Sequence, residues 1–146
     1  MDFFSAMNVS ASGMTAERTR LNLISSNIAN ANSTRTAEGG PYKRKDPVFS
    51  AVPAGGGAFA STLGQAGDRS VNKVEVTEIQ EDQSPPRLEY DPTHPDANGD
   101  GYVALPNVNI IGEMADMVSA TRAYEANMTA AQAAKSMAMK ALDLLK

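Results

Sequence analysis

The chain has no cysteine and no tryptophan, a single histidine, and only 5% aromatic residues. Without cysteine there is no disulfide framework, no thiolate nucleophile and no thiolate metal site, and the redox compartment leaves no trace in the composition. The shortage of aromatics bears on packing. Apolar residues make up 42% of the 146, but many are alanine, methionine and other small side chains. Such residues line the seams between helices and make a thin globular core. Long hydrophobic runs are missing too, and no window approaches the roughly 20 apolar residues of a membrane span. The first residues show no basic segment, apolar stretch and small-residue cleavage site in succession, so a cleaved secretory signal is not expected. Nor is there an excess of positive charge: the net charge is -4. Phosphate binding needs a basic footprint, so nucleic acid is not an expected partner. The one basic cluster, Lys43, Arg44 and Lys45, reads as a solvated face.

Residues suited to catalysis are equally scarce. His94 lies in a loop between Thr93 and Pro95, with no nucleophile-elbow pattern beside it. Carboxylates gather between Glu75 and Asp100 with Arg87 as the only opposing charge. An exposed acidic strand edge, which discourages aggregation, accounts for them. No catalytic residue, cofactor or metal is expected. One motif offers an alternative function. Asp96-Ala97-Asn98-Gly99-Asp100-Gly101 matches the opening of an EF-hand calcium loop, so a calcium-binding interaction module using residues 96–107 is the second reading. Asn107 replaces the bidentate Glu of the twelfth position, and Pro92 and Pro95 forbid an entering helix. An Asx-type turn explains the same residues.

What the sequence does contain is periodicity at both ends. Near the start, Phe3, Met7, Met14, Leu21, Ile24 and Ile28 recur at helical intervals. Near the end, Ile110, Met114, Met117, Tyr124, Met128, Ala131, Ala138, Leu142 and Leu145 do the same. Steps of three and four residues gather these side chains into one narrow stripe of a helix. The pattern predicts an N-terminal helix in residues 1–32 and a C-terminal helix in 107–146. Gly13 interrupts the first at a cost of about 1 kcal/mol relative to Ala. Asn107 or Asn109 can cap the second, with Glu113 and Asp116 in its first turns and Lys140 near its end. Between them, residues 33–106 hold the prolines and a Gly-rich stretch. Here Val74, Val76 and Ile79 form one β-branched run, and Leu88 and Tyr90 alternate with Arg87 and Glu89. The expectation is a hairpin or a pair of extended strands joined by the proline-stiffened Gln83–Pro86 loop. Ala51–Asp68 reads as a flexible loop.

The expected fold is therefore mainly α, with the two long terminal helices packed as a coiled-coil-like pair and a small extended or β-hairpin middle segment. Helices with a single apolar stripe must bury it on each other, on other chains, or on both.

Two stretches carry a family resemblance. Ser10-Ala11-Ser12-Gly13-Met14-Thr15-Ala16-Glu17 continues through Ser26-Asn27-Ile28-Ala29-Asn30-Ala31-Asn32-Ser33-Thr34. Leu105-Pro106-Asn107-Val108-Asn109 is followed by Glu113-Met114-Ala115-Asp116-Met117 and Arg122-Ala123-Tyr124-Glu125-Ala126-Asn127. Together these resemble the terminal motifs of the flagellar rod and hook axial family. The middle segments Tyr90-Asp91-Pro92, His94-Pro95-Asp96 and Gly101-Tyr102-Val103 narrow the resemblance to basal-body rod proteins. It covers nearly the whole chain except the glycine-rich insert Ala54–Gly67.

The resemblance implies a structural subunit exported without signal cleavage, polymerising helically into the periplasmic rod that drives motility. The partners it implies are neighbouring copies, other flagellar rod proteins, and ring or export-gate components at the rod base. Met14, Leu21, Ile24, Ile28, Met117, Tyr124, Met128 and Leu142 are the expected apolar residues of the assembly interface. Asn27, Asn30, Arg122 and Asn127 are the expected polar contacts that set register between neighbours.

Overall fold

The computed structural model describes residues 3–53 and 71–143. Helix α1 spans Phe3–Ala29, strands β1 to β4 span Lys45–Pro53, Asn72–Glu81, Arg87–Tyr90 and Tyr102–Leu105, and helix α2 spans Ile110–Asp143. The chain is mainly α, with long terminal helices and a β-hairpin middle. At 1.5 Å per residue, α1 is about 40 Å long and α2 about 50 Å. Asn109 starts α2: its Oδ1 accepts from the Ile111 and Gly112 amides at 3.1 and 3.3 Å, satisfying donors that an open helix end would leave unpaired. The expected loop at 51–68 and the insert at 54–67 lie largely or wholly outside the described residues, as does Leu145.

The two helices pack antiparallel. Asn27 meets Glu113, Arg20 reaches Asp116 at 3.6 Å, and Gly13 faces Asn127. As α1 runs backward, α2 runs forward. The line of burial on α1 is Ser10, Gly13, Ala16, Ile24 and Asn27, and on α2 it is Glu113, Ala120 and Ala134. Most of these side chains are small. Gly13 explains itself here, since a Cβ at that position would lie 2.9 Å from Asn127 Oδ1. The glycine admits the asparagine against the α1 backbone.

The middle segment corrects one expectation. The runs at 74–79 and 87–90 are strands, but they do not pair with each other. β2 pairs antiparallel with β1, from Lys45 opposite Glu81 to Pro53 opposite Asn72, with a register shift between Val48 and Phe49. β3 pairs antiparallel with β4, Arg87 opposite Leu105 and Tyr90 opposite Tyr102. Each is a two-stranded sheet. Pro47 and Pro53 disguise β1 in the sequence. A two-stranded sheet has only edge strands, and an edge tolerates a residue with no amide to give to the ladder.

The first hairpin lies along α1. At one end Lys45 bonds to Asn27, and at the other the Val74 amide donates to Ser12 Oγ at 3.1 Å. A bare hairpin is marginal in water, and this contact gives it a neighbour. The second hairpin is closed by Gly101 at φ +81°, where a Cβ would meet Tyr90 at 2.9 Å. Tyr90 and Tyr102 stack edge to face above it, centroids 5.2 Å apart. Val103 in β4 is buried, as are Pro106 and Val108 beyond it.

Candidate assembly interface

Three features of the helix pair bear on function: the inner seam, a polar cluster at one end of it, and the apolar surface left outside. The inner seam is narrower than the sequence pattern suggests. Met117, Tyr124, Ala131 and Ala138 lie half-buried along it, joined by Glu113, Ala120, Asn127 and Ala134, which the apolar periodicity did not single out. On α1, Ile24 is buried and Met14, Leu21 and Ile28 are half-buried.

The polar cluster is the most buried chemistry in the described residues. Asn27 has no exposed surface and Glu113 only 2%. Asn27 Nδ2 donates to the Lys45 carbonyl at 3.0 Å and to Glu113 Oε2 at 3.1 Å. Its Oδ1 accepts from the Lys45 amide at 3.0 Å and from the Tyr42 hydroxyl at 2.9 Å. Two donors and two acceptor positions are all used, which is what a buried amide requires. The Asn27 side chain thus pairs with both backbone groups of Lys45, as a neighbouring strand would. Glu113 Oε1 accepts from Arg44 Nε at 2.6 Å, and Arg44 also bonds Asp46. Burial alone would lower the Arg44 pKa, but the hydrogen bond and charge of Glu113, with those of Asp46, outweigh it and hold the guanidinium above its ordinary value. A charged pair at this depth is tolerable because each member is hydrogen-bonded.

Here the sequence reading is corrected. Arg44 is not part of a solvated basic face, and the hydrogen-bonding groups of Asn27 are engaged within its own chain. The remaining polar candidates divide. Asn30 is half-buried and turns back on its own chain, donating to the Ser26 carbonyl at 2.9 Å and accepting from Ser33 Oγ at 3.2 Å. Asn127 Nδ2 donates to the Ala123 carbonyl at 2.9 Å while lying against Gly13. Arg122 is exposed. The signal that could have found the cluster is a helical asparagine and a helix-starting glutamate, each beside hydrophobic positions, with an arginine between them in sequence.

The third feature is what the seam leaves out. Met128 and Leu142 are 40% and 60% exposed, and Ile111, Met114, Val118 and Met139 also face outward. With 100° per residue, Ile110, Met114, Met128 and Met139 fall within about 40° of one another, roughly a quarter turn from the seam. Phe4 and Met7 are exposed near the start of α1. Scattered exposed apolar residues are ordinary, but several large ones on one side of a helix make that side a candidate interaction surface.

The loop with the EF-hand-like opening is built as an Asx turn. Asn98 Oδ1 accepts from the Asp100 and Tyr102 amides at 3.0 and 2.9 Å, and Asp96 Oδ2 accepts from Thr34 Oγ1 at 2.8 Å. Two of the oxygens that a cation would use, Asp96 Oδ2 and Asn98 Oδ1, are engaged with the chain. Among the described residues no group of three His, Cys, Asp or Glu side chains is arranged to hold a metal. No helix among them is long and apolar enough to cross a membrane.

Comparison with known proteins bears on the family of the chain. Residues 7–35 match the family model described as flagella basal body rod protein, and residues 100–144 match the one described as flagellar basal body rod FlgEFG protein C-terminal. Three curated relatives are each named flagellar basal-body rod protein FlgC. That of Borreliella burgdorferi is 46% identical, covering 100% of this chain and 99% of its own. That of Bacillus subtilis is 46% identical, covering 100% of both. That of Escherichia coli is 37% identical, covering 99% of this chain and 98% of its own.

Proposed function

The chain belongs to the FlgC family of flagellar basal-body rod proteins and is a structural subunit of the rod; from that premise we propose that it assembles through the outer face of its helix pair. The observation that carries this reading is the apolar stripe of α2, with Ile110, Met114, Met128 and Met139 a quarter turn outside the seam. A helix pair whose large side chains are left in water gains most of its burial from neighbours, at roughly 25 cal/mol per Å² of apolar surface covered. Contacts of unlike faces that do not close on themselves produce a helical filament. Such a filament fits a periplasmic drive shaft for motility.

The neighbours in this reading are copies of the same chain, other rod proteins, and ring or export-gate components at the rod base. Met14, Leu21 and Ile28 contribute from α1, and Arg122 sets register from the exposed side of α2. Export proceeds without a cleaved signal peptide, and the chain performs no catalysis. Met128→Asp tests the central claim: the subunit should be missing from isolated basal bodies and the cells non-motile, whereas His94→Ala should leave both unchanged. A Met128→Asp subunit that enters the rod at normal levels overturns the role given to this face.

A further inference from the structure

The chain has eight methionines and no cysteine, so thioethers are its only sulfur. Three of them fall on one line of α2. Met114, Met128 and Met139 lie within about 40° of one another and are 56%, 40% and 56% exposed. Met137 is 66% exposed but sits roughly 160° further round the helix. A methionine sulfur can take up one oxygen, which turns a flexible apolar side chain into a polar one. On a surface that stays in water that change costs little. On a surface that must lose its water, the new oxygen needs a donor. Thr121, between Met114 and Met128 on the same line, already gives its hydroxyl to the Met117 carbonyl at 2.8 Å.

We infer that Met114, Met128 and Met139 form an oxidation-sensitive modification site: as thioethers they let the chain enter the rod, and as sulfoxides they keep it out. The inference rests on the reading that this side of α2 is an assembly face. Hypochlorous acid is the oxidant class that fits. The Sδ lone pair attacks its chlorine and hydroxide leaves. Water then adds to the sulfur, and chloride and two protons depart, one of which neutralises the hydroxide. Each sulfur gains one oxygen and loses two electrons, which chloride carries away. Oxidation acts before assembly, while the sulfurs face water, and the sulfoxide can be reduced back to the thioether. A chain without thiols thereby makes its own incorporation depend on redox state.

Competition inside one cell tests it. The native chain is made together with a chain carrying Met114→Leu, Met128→Leu and Met139→Leu, a volume-conserving exchange that leaves no sulfur on the line. Hypochlorous acid is added at a dose that converts about half of each of the three native methionines in the unassembled pool, read by peptide mass spectrometry. Without oxidant both chains should enter isolated basal bodies in proportion to their pools. With oxidant the native share should fall at least about threefold. A Met137→Leu chain in place of the triple variant should gain nothing. Met128→Gln, which carries a polar oxygen with no oxidant added, should lose to the native chain at least about threefold. A native share unchanged by oxidant, an equal gain for Met137→Leu, or stripe sulfurs that stay reduced in the pool while Met137 is converted would each overturn the site. If the triple variant enters poorly without oxidant, Met128→Gln decides, and its entry at the native level overturns the site. Oxidising basal bodies after isolation separates the two readings. Stripe sulfurs converted there as fast as in the urea-unfolded chain overturn the assembly face itself, whereas shielded sulfurs with an unchanged native share overturn only the oxidation site.

Discussion

The two sides of α2 are built on opposite rules. Facing α1 it presents alanines, an asparagine and a buried glutamate, with Met117 and Tyr124 half-buried beside them; facing away it presents isoleucine, methionine and valine among polar residues. In an isolated globular protein the large apolar residues would be inside. Their placement outside fits the proposal that the inner contact sets geometry while the outer face supplies association energy. Small residues let the two backbones approach closely, and the polar cluster fixes a single register because only one alignment satisfies Asn27 and Glu113 together. A uniformly apolar seam could slide by a turn at little cost. This one cannot.

That contrast can be broken deliberately. The largest effect on the isolated chain should come from Arg44→Ala, which leaves Glu113 buried without its charge partner and should lower unfolding free energy by about 3 kcal/mol, read by urea denaturation. A loss within 0.5 kcal/mol, the ordinary value for an exposed residue, would place Arg44 on the surface after all. Next comes Ala120→Leu at the fully buried centre of the seam. Forcing extra methylenes between close backbones should cost about 1–3 kcal/mol. The same exchange at the exposed Ala130 should be nearly neutral. Smaller still is Gly13→Ala. In the native background its helix-propensity gain of about 1 kcal/mol is offset by the Asn127 side chain, whereas in an Asn127→Ala background the gain should appear in full. A double-mutant cycle with no coupling would contradict the packing of Gly13 against Asn127.

The smallest effect lies far from either face of the helix. Thr93 donates its hydroxyl and amide to the Asp91 carboxylate, and these bonds hold the Asp91 pKa below the ordinary 3.8. A depressed carboxylate adds stability above its unfolded value and loses it as pH falls through the folded one. The 91–101 loop should therefore keep its turn at pH 5 and release it only at pH below about 3.8. The Thr93 amide resonance reports this change. A shift between pH 6 and 5 would be inconsistent with it.

The legible part of this molecule was its period. The terminal helices, the strands at 74–79 and 87–90, and the Asx turn at Asn98 follow from local chemistry that a short window contains. The seam was less legible because hydrophobic patterning finds where large side chains sit, and here they sit outside. The apolar period and the true seam share Met117, Tyr124, Ala131 and Ala138, but Met128 belongs to the outer face and Leu142 continues the seam past the described start of α1. The partner of β2 was hidden by two prolines. The polar cluster was illegible for a different reason. Glu113 looked like a residue placed for the helix dipole, and Arg44 like one member of a basic run. Only folding across more than 80 residues of chain brings Asn27 to Glu113.

Tyr42 offers a practical return from the same cluster. With tryptophan absent, the ultraviolet emission of this chain comes from four phenols: Tyr42 bonded to Asn27, Tyr90 and Tyr102 in the second hairpin, and Tyr124 on the helical seam. Nature has thus placed separate optical reporters in three parts of one small subunit. Replacing three of them with phenylalanine leaves a single lamp, whose brightness follows its own neighbourhood as the chain is captured by its neighbours.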